Sequence, residues 1–112
     1  MIIEIPAIKF EVNDVAAGPM NWHDANKHAE SLGDGWRLPT MVELDYIYQN
    51  KDKLPAVDGL GRSSTNAIWV WSSETHPDYR NYARIRSMAN GNDHWVSKGY
   101  DGISVVAVRS VE

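Results

Sequence analysis

Ten residues set the strongest local constraint on this chain: Gly35-Trp36-Arg37-Leu38-Pro39-Thr40 runs directly into Met41-Val42-Glu43-Leu44. Thr40 and Glu43 have the spacing of a capping box. The threonine oxygen takes an orphan amide at the helix start and the glutamate reaches back to the cap amide, so a helix begins at Met41. Pro39 removes one backbone donor and pushes Leu38 toward an extended conformation. An extended arm, an abrupt corner and a helix follow in that order. Arg37 lies between two large apolar residues, and a guanidinium buried there must find a carboxylate or carbonyl. Glu43 is one candidate partner and backbone carbonyls are another.

Before this corner, Ile3, Ile5, Ile8, Phe10 and Val12 form a β-prone opening interrupted by Pro6, read as an edge strand bent or broken at the proline. Asn13-Asp14 and Gly18-Pro19 read as turn material. Asn21 is an N-cap for a helix over residues 21–32, with Trp22, Ala25, Ala29 and Leu32 as its apolar stripe and Gly33 as a left-handed stop. The second helix spans 41–50 and turns Leu44, Ile47 and Tyr48 to one side. Residues 56–66 are small, polar or glycine and read as a surface loop.

Strands occupy most of 68–111. Ile68-Trp69-Val70-Trp71-Ser72-Ser73 is the first, ended by Thr75-His76-Pro77-Asp78. From Tyr82 to Met88, Ala83 and Ile85 alternate with Tyr82, Arg84 and Arg86. Asn90-Gly91 signals a hairpin before His94-Trp95-Val96. The run Ile103 to Arg109 is apolar enough for a central strand. Two helices followed by strands predict an α+β domain with the helices segregated on one side of a twisted antiparallel sheet.

Length and composition narrow the functional classes. A chain of 112 residues, 43% apolar and 23% charged, accommodates one domain over 1–112. The net charge of −4 opposes nonspecific attraction to nucleic acid or anionic membrane, so neither is an expected partner. Absence of cysteine removes disulfides, thiolate nucleophiles and cysteine-ligated zinc. The N-terminus lacks a basic region followed by an apolar core, and no run is long enough for a membrane span. These features predict a cytoplasmic product, or one assembled into a phage particle in the cytoplasm.

Several ordered motifs coincide with one family. Met20-x-Trp22-x-Asp24-Ala25-x-x-x-Ala29-x-x-Leu32 leads to Gly35-Trp36-Arg37-Leu38-Pro39-Thr40-x-x-Glu43-Leu44. Trp71-Ser72-Ser73, Ala83, Asn90-Gly91 and Val108-Arg109-Ser110-Val111 follow. This succession resembles the Lcl C-terminal domain family, a bacterial and phage group with a C-type lectin-like fold. The resemblance implies paired N- and C-terminal strands, a smaller twisted sheet carrying the ligand surface, and Trp36 and Trp71 in the core. Members occur in adhesins, secreted modules and phage products. The Arg37-Leu38-Pro39-Thr40 corner also resembles the sulfatase-modifying, formylglycine-generating group, whose oxidases bind copper through cysteines. This chain has no such ligands, which excludes that chemistry.

No catalytic, metal or cofactor site is expected. Calcium-dependent lectins of this fold carry Glu-Pro-Asn or Gln-Pro-Asp with Trp-Asn-Asp, because calcium needs several hard oxygens. Asn92-Asp93 only loosely echoes that pattern. His23 and His28 lie on different helix faces, and His76 and His94 come from separate segments. Ser72 and Ser73 lack the turn of a nucleophile elbow. The candidate ligand surface is Tyr79, Arg80, Tyr82, Arg84, Arg86, His94, Trp95 and Lys98, which gathers aromatics and arginines, residue types enriched at protein interfaces. Trp36, Arg37, Thr40, Glu43 and Trp71 form the expected structural hub. A second candidate surface is the glycine-rich loop 58–66. The expected function is noncatalytic binding of a protein partner, in a phage or prophage product. The alternative is a calcium-independent carbohydrate-binding module of lectin or adhesin type, stacking sugars on Trp69, Trp95 or Tyr79.

Overall fold

The computed structural model describes residues 2–5, 8–54 and 69–111, with backbone alone for 2–5 and 8. Near the N-terminus lie two strands, β1 (Ile2–Ile5) and β2 (Ile8–Val12), which fold back on each other with Ile5 opposite Ile8; Pro6 lies outside the described residues. There follow β3 (Ala17–Met20), α1 (Trp22–Ser31), α2 (Met41–Gln49) and a 3₁₀ turn at Lys51–Lys53. After these come β4 (Trp69–Thr75), β5 (Tyr82–Ser87), β6 (Asp93–Ser97), β7 (Ile103–Val105) and β8 (Val108–Ser110).

Both helices start as their caps dictate. Asn21 Oδ1 accepts from the amide of Asp24, and Gly33 ends α1 at φ +73°. The Thr40 hydroxyl accepts from the Glu43 amide, while Glu43 accepts from the Thr40 amide at 2.8 Å, completing the capping box. Met41 donates its amide to Glu74 Oε2 at 2.7 Å, which satisfies another orphan donor and ties α2 to β4. Leu32 is exposed rather than part of the buried stripe, because α1 has already ended there.

Among the described residues two sheets form, one ordered β1-β2-β8 and the other β3-β7-β4-β5-β6. Their pairings are antiparallel except β4 with β7, which run parallel through Val70 and Ser104. Two elements differ from the sequence reading. Gly18-Pro19 lies inside β3, at an irregularity in its pairing with β7, where a proline costs no ladder bond. Gly18 has φ +105°, and a Cβ there would stand 3.1 Å from Ser104 Cα. The run Ile103 to Arg109 is two strands rather than one. Val106 and Ala107 are buried between them, and the Ala107 carbonyl accepts from the Asn13 amide, so the chain leaves one sheet and enters the other.

The same alternation divides the core. Val70 packs with Met41, Leu44, Ile47, Phe10, Val106 and Val108. Its neighbour Trp71 points oppositely, into Ala25, Ala29, Ile85, Ile103 and Val105. The helices therefore meet opposite faces of β4 instead of sharing one side. Two alanines on α1, both fully buried, allow its backbone to approach the Trp71 indole. That indole donates to the Met20 carbonyl at 2.9 Å. Trp36 is half-buried at the edge of this second core, with the Arg109 guanidinium 4.7 Å from its ring centroid.

Candidate functional site

β5 and β6 pair in register, with Arg84 opposite Trp95, Ile85 opposite His94 and Arg86 opposite Asp93. Residues directly opposite share a face, so Tyr82, Arg84, Arg86, Asp93 and Trp95 face one way while Ala83, Ile85, His94 and Val96 face the other. This parity splits the surface read from the sequence. His94 packs against Trp69, with centroids 5.4 Å apart, on the face opposite Trp95.

Aromatic residues converge on the Trp95 side. His76, from the segment after β4, has its ring centroid 4.6 Å from Trp95 and 4.9 Å from Tyr79. Tyr79 and Tyr82 meet at 6.3 Å. The four rings line a shallow cleft of about 300 Å³. Local hydrogen bonding sets the His-Pro-Asp-Tyr turn: His76 Nδ1 accepts from the amides of Asp78 at 3.0 Å and Tyr79 at 3.1 Å. In the neutral ring, Nε2 then carries the hydrogen. Tyr79 is 66% exposed and Trp95 37%, so a partner can reach both.

The two arginines on this face behave differently. Arg84 pairs with Asp93 and lies over the Trp95 ring, 5.3 Å from its centroid. Arg86 is not an exposed contact residue. Its side chain is 17% exposed, Nη1 donates to the Gly91 carbonyl at 2.7 Å, and Asp45 of α2 stands 3.7 Å away. Nε is buried without a hydrogen-bond partner among the described residues. Helix α2 covers that end of β5 and converts a surface alternation position into a buried one.

Lys98 also leaves the predicted surface. Its ammonium lies 4.1 Å from the Trp22 ring centroid, its carbonyl accepts from the Trp22 amide, and burial lowers its pKa. It fastens the end of β6 to α1. Arg80 is exposed beside Tyr79 in the turn. Asp93, the carboxylate in the calcium-lectin echo, is taken by Arg84. Loop 58–66 lies outside the described residues.

On the opposite face, Trp69, Ile85, His94, Val96, Tyr100, Gly102 and Ile103 line a second hollow of about 270 Å³. The sequence marks His76 as a strand breaker and sets it beside His94 as a possible metal pair; neither its place in the aromatic cleft nor Asp93 as a partner for Arg84 is read there. The legible signal was parity: Asp93 and Trp95 are two apart on one strand and therefore share a face.

Among the described residues, no helix is long and apolar enough to cross a membrane. No curated protein matches the sequence. The solved structure of EMS16, an antagonist of the collagen receptor integrin α2β1, is similar in fold, with TM-score 0.54 at 12% identity. The match covers 98% of this chain and 97% of that one. The sequence profile of the Lcl C-terminal domain matches residues 8–109. The chain therefore belongs to the Lcl C-terminal domain family, and, with two helices and two sheets among the described residues, it has a C-type lectin-like fold.

Proposed function

We propose that this domain is a noncatalytic binding module that recognises a protein partner through the cleft of His76, Tyr79, Tyr82 and Trp95. One observation carries the reading: four aromatic rings form a continuous accessible patch, bordered by the Arg84–Asp93 pair. Such patches supply interface anchors, because rigid rings bury large apolar area at low entropic cost. The fold can serve a receptor-directed role, as the description of EMS16 indicates.

Carbohydrate binding without calcium is the second reading, favoured by an exposed Trp95 indole beside polar side chains. Arg84 already lies over the Trp95 ring, which leaves less open indole for a sugar and weighs toward protein.

The test is affinity capture from bacterial lysate with the wild-type domain, Tyr79→Ala and Trp95→Ala, with folding checked by circular dichroism. The expected result is a specific protein held by wild type and lost from both folded variants. Capture retained by both variants moves the site elsewhere. Failure of capture together with a chelator-insensitive signal on a glycan array supports the lectin reading.

A further inference from the structure

Strand β6 ends the five-stranded sheet among the described strands. Its inner side is fixed by hydrogen bonds at both ends: Lys98 donates to the Asn81 carbonyl and Ser87 donates to the Asn92 carbonyl. In an antiparallel ladder, hydrogen-bonded positions alternate, so Asn92, His94, Val96 and Lys98 turn their backbone groups toward β5. Asp93, Trp95 and Ser97 turn theirs outward. The Ser97 carbonyl is occupied by the Tyr100 amide, whereas the outward groups of Asp93 and Trp95 have no backbone partner among the described residues. Neither proline nor lysine lies within the strand, and its β5 register contains no bulge. Its one carboxylate, Asp93, is paired with Arg84; proline, lysine and bulge, which commonly blunt a sheet edge, are all missing from this stretch.

A hollow opens on each face of this edge. Trp95 lines the aromatic cleft on one side, while His94 and Val96 line the hollow with Trp69 and Ile85 on the other. An added strand would place the residue opposite Trp95 on the cleft side. Its immediate neighbours would fall on the His94 and Val96 side, with cross-strand Cβ separations of about 5 Å. Main-chain bonds would supply affinity, and the two hollows would select alternating side chains.

We infer that the partner docks by strand addition: an extended segment with apolar side chains at adjacent positions pairs with Asp93–Ser97. This rests on the protein-binding reading and gives it a mode. A second copy is the weaker occupant, since each copy carries a net charge of −4 and self-pairing brings those charges together.

The experiment selects peptides from a random library displayed on phage against the intact domain. The selected synthetic peptide is then followed by amide hydrogen exchange and NMR. The expected result is enrichment of peptides with apolar side chains at adjacent positions, with the Trp95 amide slowed at least about tenfold on binding. The His94 amide, already directed toward β5, should change little. Tyr79→Ala, which leaves the strand backbone intact, should weaken binding roughly tenfold. Absence of enrichment overturns strand addition. Peptide binding with the Trp95 amide still exchanging at its free rate also overturns it, while leaving the protein-binding reading intact. Protection of that amide in the free domain, rising with protein concentration, overturns it in favour of a second copy.

Discussion

Arg37 and Glu43 meet as a two-point fork, with Nη1 2.7 Å from Oε1 and Nη2 2.8 Å from Oε2. The same arginine donates to the Leu38 carbonyl and the Ser110 hydroxyl, and its backbone exchanges two hydrogen bonds with Val108. The corner before α2 is thereby joined to β8. Arg37→Leu strands the Glu43 carboxylate, whose side chain is only 6% exposed. Because the guanidinium is 37% exposed, solvent screens part of the loss, leaving a cost of about 2 kcal/mol. Thermal denaturation should show a fall of roughly 10 °C. An unchanged melting temperature rules out this role.

Acid titration tests the other half of the fork. Burial acts to raise the Glu43 pKa, but hydrogen bonds from Arg37 and Thr40 and the Arg37 charge outweigh it, so the net shift is downward. A carboxyl group with a depressed folded-state pKa contributes stability above its unfolded pKa, near 4.3, and loses it as pH falls through the lower folded value. Wild type should therefore exceed Glu43→Gln in melting temperature by a constant amount above about pH 5. The gap should begin to narrow as pH falls below the unfolded value and close only once pH is below the depressed folded value. Parallel curves across this range contradict the assignment.

Arg84 and Arg86 should separate cleanly. Arg84→Ala removes a partly exposed pair and a ring contact, costing about 1 kcal/mol or less. Arg86→Ala removes the donor to Gly91 and the bridge to Asp45 at a mostly buried position, costing roughly 2 kcal/mol. Urea denaturation of the two variants checks the order. Equal midpoints contradict the distinction.

Gly91→Ala examines the β5–β6 turn. Gly91 has φ +77°, and a Cβ there would lie 3.0 Å from Tyr48 Cε2. Left-handed strain combines with a push on a ring of α2, so a loss of about 1 to 2 kcal/mol is expected. A variant as stable as wild type in urea denaturation shows that the turn relaxes freely.

The elements written most plainly in the sequence are those decided by a few neighbouring residues. Asn21 and Asp24 set one helix start, Thr40 and Glu43 another, and alternation from Tyr82 to Ser87 sets a strand. What escaped depends on distant partners. Nothing local to Ile103–Arg109 reveals that Val106 and Ala107 belong to different cores, and Gly18-Pro19 joins a sheet only because β7 lies beside it. At the site, Arg86 resembled Arg84 until α2 covered it. His94, by contrast, was separable from Trp95 by strand parity alone.

The crossing of Val106–Ala107 from one sheet to the other has a consequence for biosynthesis. The β4–β5–β6 meander can form from nearby residues, but the core under α2 requires Val106 and Val108, and the Arg37 corner requires the β8 backbone. Those contacts join residues far apart in the chain and close late. On the ribosome, the nascent domain must hold an apolar helix face and an unfilled core open until Val108–Ser110 clears the exit tunnel, and that interval is when it most needs a chaperone.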